Sequence, residues 1–448
     1  MPRLAALLVL FVAAGPARSA EVAPEETGEL LTLDQAIALA LKENRQLSNS
    51  KLTVAGWDDQ TASTRAQLLP QFNLQIIPSY SILPLNLTFP AGAFGTYRVI
   101  GEFPPTSTTV PTGSGYTTIA QASVVQPLTG LYKGFVALDQ LGVSSAMSKQ
   151  DLRNQRQTTV NNVRQAYLAV LQTEASIADL REQVAWWQET LKVVTQQAGE
   201  QVVMSPTLLQ AKASLVQAEY SLKAALHTLA DRKEQLNYQL GRDVATPFHT
   251  SPMAMEPPAE TTLDAARESA LKQRPDLEKA KLNIEYNKYN VSMKAADFIP
   301  TINLTFNYIS PITSNVLPKN ILYVGIDFQW DIFDWGRKLH DLDYLNKVLA
   351  QSQTTARDAE AQVVLNVNST YRALEDAREF VKVADLNRQA ARAQLKVVQD
   401  AYRQQAALLK DLLGAQASLS AASEQYRQAE LNLWTAQANF EKAVGTGE

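Results

Sequence analysis

Apolar residues recur at alternating steps of three and four over long parts of the chain. The spacing is clearest in residues 208–229, 342–363 and 412–440, where leucine and alanine fill most of the repeated positions. A period of 3.5 residues is typical of helices that pack as coiled coils. Residues 132–198 and 336–402 contain no proline, so each stretch predicts one unbroken helix of roughly 100 Å.

Shorter helices are predicted to return along the long ones. Residues 207–240 and 408–444 continue the coiled-coil spacing after a short break. They are expected to end before Gly241 and Gly445, because glycine commonly follows the last turn of a helix. Each long helix therefore has a shorter partner in a helical hairpin.

Two further helices are predicted near residues 32–68 and 262–298. Thr32 and Thr262 stand at their starts. A threonine side chain at that position can accept a hydrogen bond from a backbone N–H of the first turn, so both are candidate N-caps.

After Pro70 and Pro300 the apolar period changes to two, which predicts β-strands. The clearest alternation places Ile302, Leu304, Phe306, Val324, Ile326, Phe328 and Trp330 on one face, and Asn303, Thr305, Asn307, Asp327 and Gln329 on the other. Residues 72–76 and 118–125 alternate in the same way. Each run has about the length that a strand needs to cross a membrane. A half-buried sheet in a soluble domain has the same alternation, so the strands alone leave both interpretations open.

The chain contains two copies of one unit. The segment at Thr32 recurs at Thr262, an offset of 230, and the segment at Pro70 recurs at Pro300 with the same offset. The later segment Leu191-Lys-Val-Val recurs at Leu395, an offset of 204. Such self-similarity predicts two structural repeats.

The second offset is smaller than the first by 26, which predicts one insertion of that length in the first copy. The insertion falls between about residues 79 and 118, where proline, glycine, serine and threonine are frequent and no period is visible. We predict a first repeat over 20–241, a linker over 242–261 and a second repeat over 262–448.

Composition excludes several classes of protein. The 448 residues contain no cysteine and three histidines, which lie far apart. Disulfide frameworks, thiol nucleophiles and cysteine-ligated metal sites are therefore absent from the chain. A formal net charge of −4 without a basic block argues against nucleic acid as a partner. We expect no cofactor, no metal and no enzymatic activity, because the sequence contains no catalytic motif.

Residues 1–19 are predicted to be a signal peptide. Arg3 precedes an apolar run over residues 4–14, and Ala17 and Ser19 supply small residues before a cleavage site. No cysteine follows, so a bacterial lipid anchor is excluded. No later stretch is long and apolar enough for a transmembrane helix, and a position in a membrane would therefore require strands.

Four strands cannot close a barrel, and lipid does not tolerate unpaired sheet edges. Three chains would supply twelve strands and remove every edge. The long hairpins also need neighbours, because a narrow apolar seam is not buried by one hairpin. These arguments favour a trimeric tunnel.

Several segments, in this order along the chain, resemble the outer-membrane efflux protein family, typified by TolC. They are the Thr-Leu-x-x-Ala openings at Thr32 and Thr262, Pro70 and Pro300 before strands, Gln126-Pro-Leu, Asp331-Ile-Phe-Asp-Trp-Gly-Arg, and the final Asn-Phe-Glu-Lys-Ala-Val-Gly. The resemblance implies a mainly α protomer with a membrane β-barrel portion. Its four strands and long coiled-coil helices would form, in a homotrimer, a 12-stranded barrel, a periplasmic α-barrel and a mixed equatorial belt.

The resemblance also implies a function and partners. The protein would be an outer-membrane channel, the exit duct of a tripartite efflux or type I secretion system. It would contact outer-membrane lipid, a periplasmic adaptor (membrane fusion) protein and an inner-membrane pump of the RND, ABC or MFS type. The expected location is the outer membrane of a Gram-negative-type bacterium, with an extension into the periplasm. The insertion would form an external loop.

The turn after the second long helix is implied to form a periplasmic gate. Tyr402 and Asp411 match the tyrosine and first aspartate of the TolC-type pattern, and Lys410 lies beside Asp411. The pattern's glycine, arginine and second aspartate are replaced by Gln405, Ala407 and Gly414. Three copies of Asp411 around one axis would attract cations. Alternatively, Asp411 is a polar residue that favours the start of a helix.

The other helical turn is apolar for an exposed tip, which often marks a partner site. The predicted adaptor-contacting tip comprises Val203, Met204, Ser205, Gln404 and Gln405. Packing against the adjacent hairpin explains the same pattern equally well.

The resemblance also assigns the strand residues listed above. The apolar set would face lipid, and the polar set would face the lumen. Trp186 and Trp187 are expected to pack at the equatorial belt or in a helix seam, and not to bind a ligand.

One alternative function comes from a different class. An exported coiled-coil scaffold or adhesin would use the same helices and transport nothing. The order of proline, strand, loop and strand favours the duct. The cargo is open, because the pump selects it.

Overall fold

The computed structural model describes residues 28–82, 86–111, 115–199, 205–251, 261–312, 318–404 and 406–446. The predicted signal peptide over residues 1–19 lies outside this part of the chain. Val203, Met204 and Gln405 of the predicted tip also lie outside it.

The described helices are α1 Leu33–Glu43, α2 Arg45–Ala66, α3 Gly130–Gly199, α4 Ser205–Leu240, α5 Leu263–Gln273, α6 Pro275–Ala295, α7 Arg337–Arg403 and α8 Leu409–Val444. The described strands are β1 Glu29–Leu31, β2 Gln71–Ser81, β3 Asn86–Phe89, β4 Thr96–Tyr97, β5 Gly101–Glu102, β6 Thr108–Pro111, β7 Gly115–Pro127, β8 Phe248–Thr250, β9 Thr301–Pro311 and β10 Ile321–Gln329. A short 3-10 turn, Ala296–Phe298, follows α6.

The two long helices are confirmed. Helix α3 has 70 residues and α7 has 67, so each is about 100 Å long. The return helices α4 and α8 have 36 residues each and pack along α3 and α7. They end at Gly241 and Gly445, which adopt positive φ angles of 81° and 88°, as predicted for glycine after a helix.

The opening helix of each repeat is divided in two, which the apolar pattern did not predict. Asn44 is extended between α1 and α2, and its side chain accepts hydrogen bonds from the N–H groups of Gln46 and Leu47. In the second repeat Arg274 is extended before Pro275, because a residue before proline disfavours helical geometry. The predicted cap at Thr32 is confirmed by a reciprocal capping box with Gln35.

Thr262 caps α5 in the corresponding place, accepting a hydrogen bond from the N–H of Ala265. The elements of the two repeats recur at the offsets seen in the sequence. Helix α5 follows α1 at the offset of 230, and α8 follows α4 at the offset of 204. The two copies thus differ mainly between β2 and β7.

Each repeat has its own core where the short opening helix meets the hairpin. In the first repeat Ala36, Val163 and Leu236 belong to this core. The matching positions in the second repeat are Ala266, Val367 and Phe440. A third cluster joins the two hairpins near their tips and includes Val194, Ala211, Leu395, Leu409 and Leu412.

Four long strands form one antiparallel sheet in the order β10-β9-β7-β2. Strands β2 and β10 stand at its two edges. The register places Val124 opposite both Phe72 and Phe306, and places Phe306 opposite Val324. Because neighbours in register point to the same side of a sheet, these apolar residues share one face.

A small parallel pair, β1 with β8, was not predicted. It lies partly in the predicted linker over 242–261 and packs on the first repeat, with Phe248 fully buried. The Tyr167 hydroxyl lies 2.8 Å from the Leu31 carbonyl oxygen and accepts a 3.0 Å hydrogen bond from the N–H of Ser251. Strands of three residues are too short to produce a readable alternation.

The insertion, where no period is visible in the sequence, contains short strands. Strands β3 and β6 pair antiparallel, as do β4 and β5, and each pair forms a two-stranded sheet of its own. Phe94 packs near Phe89 and Phe103, at ring-centroid distances of 5.0 and 6.0 Å. These strands have two to four residues, so their alternation was not visible in the sequence.

Gly241→Ala is expected to destabilise the first repeat. A Cβ there would lie 2.2 Å from the Glu43 carbonyl oxygen, and the backbone is left-handed. We expect a loss of about 1–3 kcal/mol, measured as a lower Tm of the purified protein in detergent. Gly142→Ala is the matched control, because its Cβ would meet no atom within 4 Å and alanine favours a helix. An unchanged Tm for Gly241→Ala would contradict this account of the turn.

Candidate functional site

The sheet has one continuous apolar face that is open to its surroundings. Leu304 and Phe306 on β9 are each 42% exposed, and Val324, Ile326 and Phe328 on β10 are more exposed than that. Ile302 lies opposite Phe328, so it belongs to the same face. Trp330 follows β10 by one residue and is 50% exposed. The residues predicted to face lipid are thus brought together on one face, and most of them are exposed in the described part of the chain.

The opposite face carries the residues predicted to line a lumen. Asn303, Thr305 and Asn307 alternate with the apolar residues of β9, and Asp327 and Gln329 do so on β10. The Asn303 amide donates to the Asp327 carboxylate at 3.3 Å, and the Thr305 hydroxyl donates to the Gly325 carbonyl oxygen at 3.2 Å. One face is therefore apolar and the other hydrogen-bonded and polar.

A group of charges lies where the helices meet the sheet. Lys133 at the start of α3 approaches Asp297 at 2.7 Å, and Lys294 bridges Asp297 at 3.1 Å and Asp341 of α7 at 2.7 Å. Burial opposes ionisation of Asp297, but hydrogen bonds from Lys133 and Lys294 outweigh it and lower the pKa of that carboxyl. The hydrogen bonds to Asp341 and Asp297 raise the pKa of Lys294. This group fixes α3, α6 and α7 at the base of the sheet.

A long polar seam joins the two repeats. Along it, side chains of α3 bind side chains or carbonyl groups of the second repeat. The contacts are Lys133–Asp297, Gln140–Asn290, Asp151–Lys279, Gln157–Gly445, Asn161–Asn439, Arg164–Glu441, Gln165–Asn439, Asp179–Arg427 and Gln183–Ser420. We call this set the repeat seam. The repeat seam was not predicted from the sequence, because the partners are far apart along the chain and follow no local pattern.

At the helical tips the predicted gate residues occupy different surroundings. Asp411 is exposed in the first turn of α8, where its carboxylate accepts a hydrogen bond from the Leu408 N–H at 3.1 Å. This contact fits the alternative role of Asp411 at a helix start. Lys410 is exposed. Tyr402 is half-buried against the cluster that joins the hairpins, and burial raises the pKa of its hydroxyl.

The described tip residues are open to solvent. Ser205 begins α4 and Gln404 follows α7, and both are exposed. Above them the rings of Trp186 and Trp187 meet edge to face at 4.5 Å, and Trp187 is buried. Of the two expected places, the helix seam is confirmed, because Trp186 packs against the cluster that joins the hairpins.

The described residues include no group of His, Cys, Asp or Glu side chains arranged to hold a metal ion. His227 and His340 are exposed and lie on different helices. Among the helices that the structure describes, none combines the length and apolar content needed to cross a membrane.

Comparison with known proteins gives consistent matches. The family described as "Outer membrane efflux protein" matches residues 266–446. The chain is 24% identical over 423 residues to the outer membrane efflux protein BepC of Brucella suis, covering 92% of this chain and 85% of that protein. It is 21% identical to the alkaline protease secretion protein AprF of Pseudomonas aeruginosa, covering 73% and 69%.

Two solved structures illustrate the likeness in fold. The Campylobacter jejuni CmeC outer membrane channel matches with a TM-score of 0.76 at 16% identity, covering 93% of this chain and 86% of that one. The outer membrane protein VceC of Vibrio cholerae matches with a TM-score of 0.74 at 14% identity, covering 92% and 96%.

The fold is therefore that of the outer-membrane channel proteins, mainly α with long helices. The resemblance to the outer-membrane efflux protein family, predicted from the sequence, is confirmed, and the family match lies in the second repeat.

Proposed function

We propose that this protein is the protomer of an outer-membrane exit duct for efflux or secretion. The observation that carries the proposal is the four-stranded sheet, whose exposed apolar face lies opposite a polar one. Such a sheet fits between lipid and a wet lumen. The relatives named for efflux and for protease secretion support the same role.

We propose that three chains assemble. Strands β2 and β10 leave their outer backbone groups without partners in the described sheet, and lipid does not tolerate this. Three sheets joined edge to edge supply twelve strands and close a barrel. The helical hairpins, each about 100 Å long, then extend the lumen into the periplasm.

The proposed partners are a periplasmic adaptor and an inner-membrane pump, and the support for them is that the relatives are named for efflux and for protease secretion. The polar lumen face carries small amides and hydroxyls. Such groups allow cargo to pass but select little among different cargoes. Cargo choice is accordingly assigned to the pump. The competing candidate, an exported scaffold, gives no reason for a lipid-compatible face.

The proposed gate is a ring of three Asp411 carboxylates. The hydrogen bond from the Leu408 N–H uses one carboxylate oxygen, so the charge remains available to ions in a lumen. The capping role and the gate role can therefore be separated by substitution. Asn can still accept the same hydrogen bond but carries no charge.

Asp411→Asn and Asp411→Ala are expected to behave alike in planar bilayers if the charge forms the gate. Both should reduce block by divalent cations several-fold, measured by single-channel recording beside the unmodified protein. A change in Asp411→Ala alone would assign Asp411 to the helix cap. Absence of any conductance from the unmodified trimer would refute the duct and favour the scaffold.

The proposed adaptor surface is the tip at Ser205 and Gln404. A photo-crosslinking residue at Ser205 is expected to capture a co-expressed adaptor protein in the periplasm. The matched control is His227, which is also exposed on α4 but lies several turns away from Ser205. Equal capture from both positions, or from neither, would contradict an adaptor site at the tip.

A further inference from the structure

A polar cavity lies at the repeat seam, between the two repeats of one chain. Its volume is about 400 Å³, which is the size of a site for a small molecule and is too large for a single ion. Its walls come from α3, the junction of α5 and α6, α7 and α8. Five amide side chains and one hydroxyl are among the residues that line it: Asn154, Gln157, Asn161, Asn366, Asn439 and Thr370.

Two cationic side chains, Arg274 and Lys442, also line the cavity, together with the carboxylate of Asp276. Arg274 binds Asp276 through Nε at 2.9 Å and through a second N–H group, so these two charges neutralise each other. Lys442 forms no ion pair or hydrogen bond with any residue that the structure describes. Burial lowers the pKa of its ammonium group, and the positive charge of Arg274 lowers it further. An anion in the cavity would offset this cost of burial.

The first repeat builds the same junction without these two cations. Asn44 stands at the position of Arg274, at the offset of 230. Tyr238 stands at the position of Lys442, at the offset of 204. The Asn44 amide donates to the Gln239 carbonyl oxygen at 2.8 Å, and Arg274 makes the corresponding contact with the end of α8 at 3.4 Å. Packing of the junction therefore requires a donor but no positive charge, so the two cations need another explanation.

Two of the lining amides keep their N–H groups as free donors. The side-chain oxygen of Asn366 accepts a hydrogen bond from Arg274 at 2.9 Å. The side-chain oxygen of Asn439 accepts hydrogen bonds from two amides of α3, at 3.2 and 3.1 Å. The amide N–H groups of Asn366 and Asn439 have no acceptor among the described residues. Together with Lys442 they form a set of donors that suits a carboxylate or phosphate group.

One buried acceptor in the wall lacks a donor. Asn161 is 8% exposed, and its Oδ1 has no hydrogen-bond partner among the described residues. Buried polar atoms in folded proteins are almost always paired, so an exception calls for a partner. A carboxylate cannot supply a proton to this oxygen, whereas a hydroxyl group can. The cavity thus combines donors for an acidic group with an acceptor for a hydroxyl group.

We propose that the cavity binds a small organic acid that carries hydroxyl groups, the class to which the sugar acids belong. Lys442 pairs with the acidic group, and the amides of Asn366 and Asn439 donate to its oxygens. Asn161 accepts a hydrogen bond from a hydroxyl group. The ligand contacts α3 of the first repeat and helices of the second, so its binding holds the two repeats together.

The ligand is a soluble molecule and not a lipid headgroup. Helix α6 has 21 residues and separates the cavity, which lies at its first turn, from strand β9. This length of helix spans roughly 30 Å, which is farther than the headgroup of a lipid beside the sheet can reach. All the walls described above belong to one chain, so the site does not depend on the proposed duct or on the number of chains.

The experiment measures binding to the full-length protein in a neutral detergent by isothermal titration calorimetry, at constant pH and ionic strength. Gluconate is the probe, because it has one carboxylate and several hydroxyl groups. We expect saturable binding with a Kd of about 1 mM or below, and a higher Tm in its presence. Glucose has hydroxyl groups without a charge, and acetate has a charge without hydroxyl groups. Each is expected to bind at least about tenfold more weakly than gluconate.

Substitutions locate the site. Lys442→Gln removes the charge and should weaken gluconate binding at least about tenfold, whereas Lys442→Arg should retain it. Lys410→Gln is the matched control, because Lys410 is also on α8 but is exposed at the helical tip, away from the cavity. This control should bind gluconate as the unmodified protein does.

Three results would overturn the inference. One is the absence of saturable gluconate binding by the unmodified protein. Another is equal binding of glucose or acetate, which would contradict the class of ligand. The third is equal binding by folded Lys442→Gln, which would contradict the site. If this variant does not fold, the three probes on the unmodified protein still decide. Bilayer conductance of the same preparation tests the duct separately, so failure of one proposal is distinguishable from failure of the other.

Discussion

In the described sheet the backbone groups on the outer sides of β2 and β10 have no partners, and this constrains the rest of the molecule. Each strand offers a row of N–H and C=O groups beside an exposed apolar face. In water such an edge invites aggregation, and in lipid each unsatisfied group costs several kcal/mol. The apolar face cannot remain in water without cost, and the edges cannot enter lipid alone. Association of chains satisfies both requirements together.

The long helices also lack neighbours within one chain. Helix α3 packs against α1, α2, α4, α6 and α8, whereas α7 packs against α5, α6 and α8. Because the two helices are copies, the difference identifies a missing neighbour. One chain thus has open sheet edges at β2 and β10 and an uncovered face on α7. A closed ring of chains completes both, and its lumen follows from the closure.

Much of this architecture could be predicted from spacing in the sequence. The heptads and the absence of proline indicated the lengths of α3 and α7, and alternation indicated the two faces of β9 and β10. Thr32 and Gly241 marked helix ends through local chemistry. These features depend on residues a few positions apart, which is the range that sequence periods report.

The features that were missed depend on distant partners or on very short elements. The repeat seam pairs residues such as Arg164 and Glu441, which are 277 positions apart. Strands β1 and β8 have three residues each, and the strands of the insertion are similarly short. The sequence did not decide whether Asp411 caps a helix or forms a gate, because the proposed gate requires Asp411 residues from several chains.

The number of chains in the membrane-embedded particle tests the central claim most directly. The full-length protein, purified from outer membranes into lipid nanodiscs, can be weighed by native mass spectrometry. This account predicts particles that contain three chains, because three four-stranded sheets close without an edge. Particles with one or two chains as the main species would contradict it.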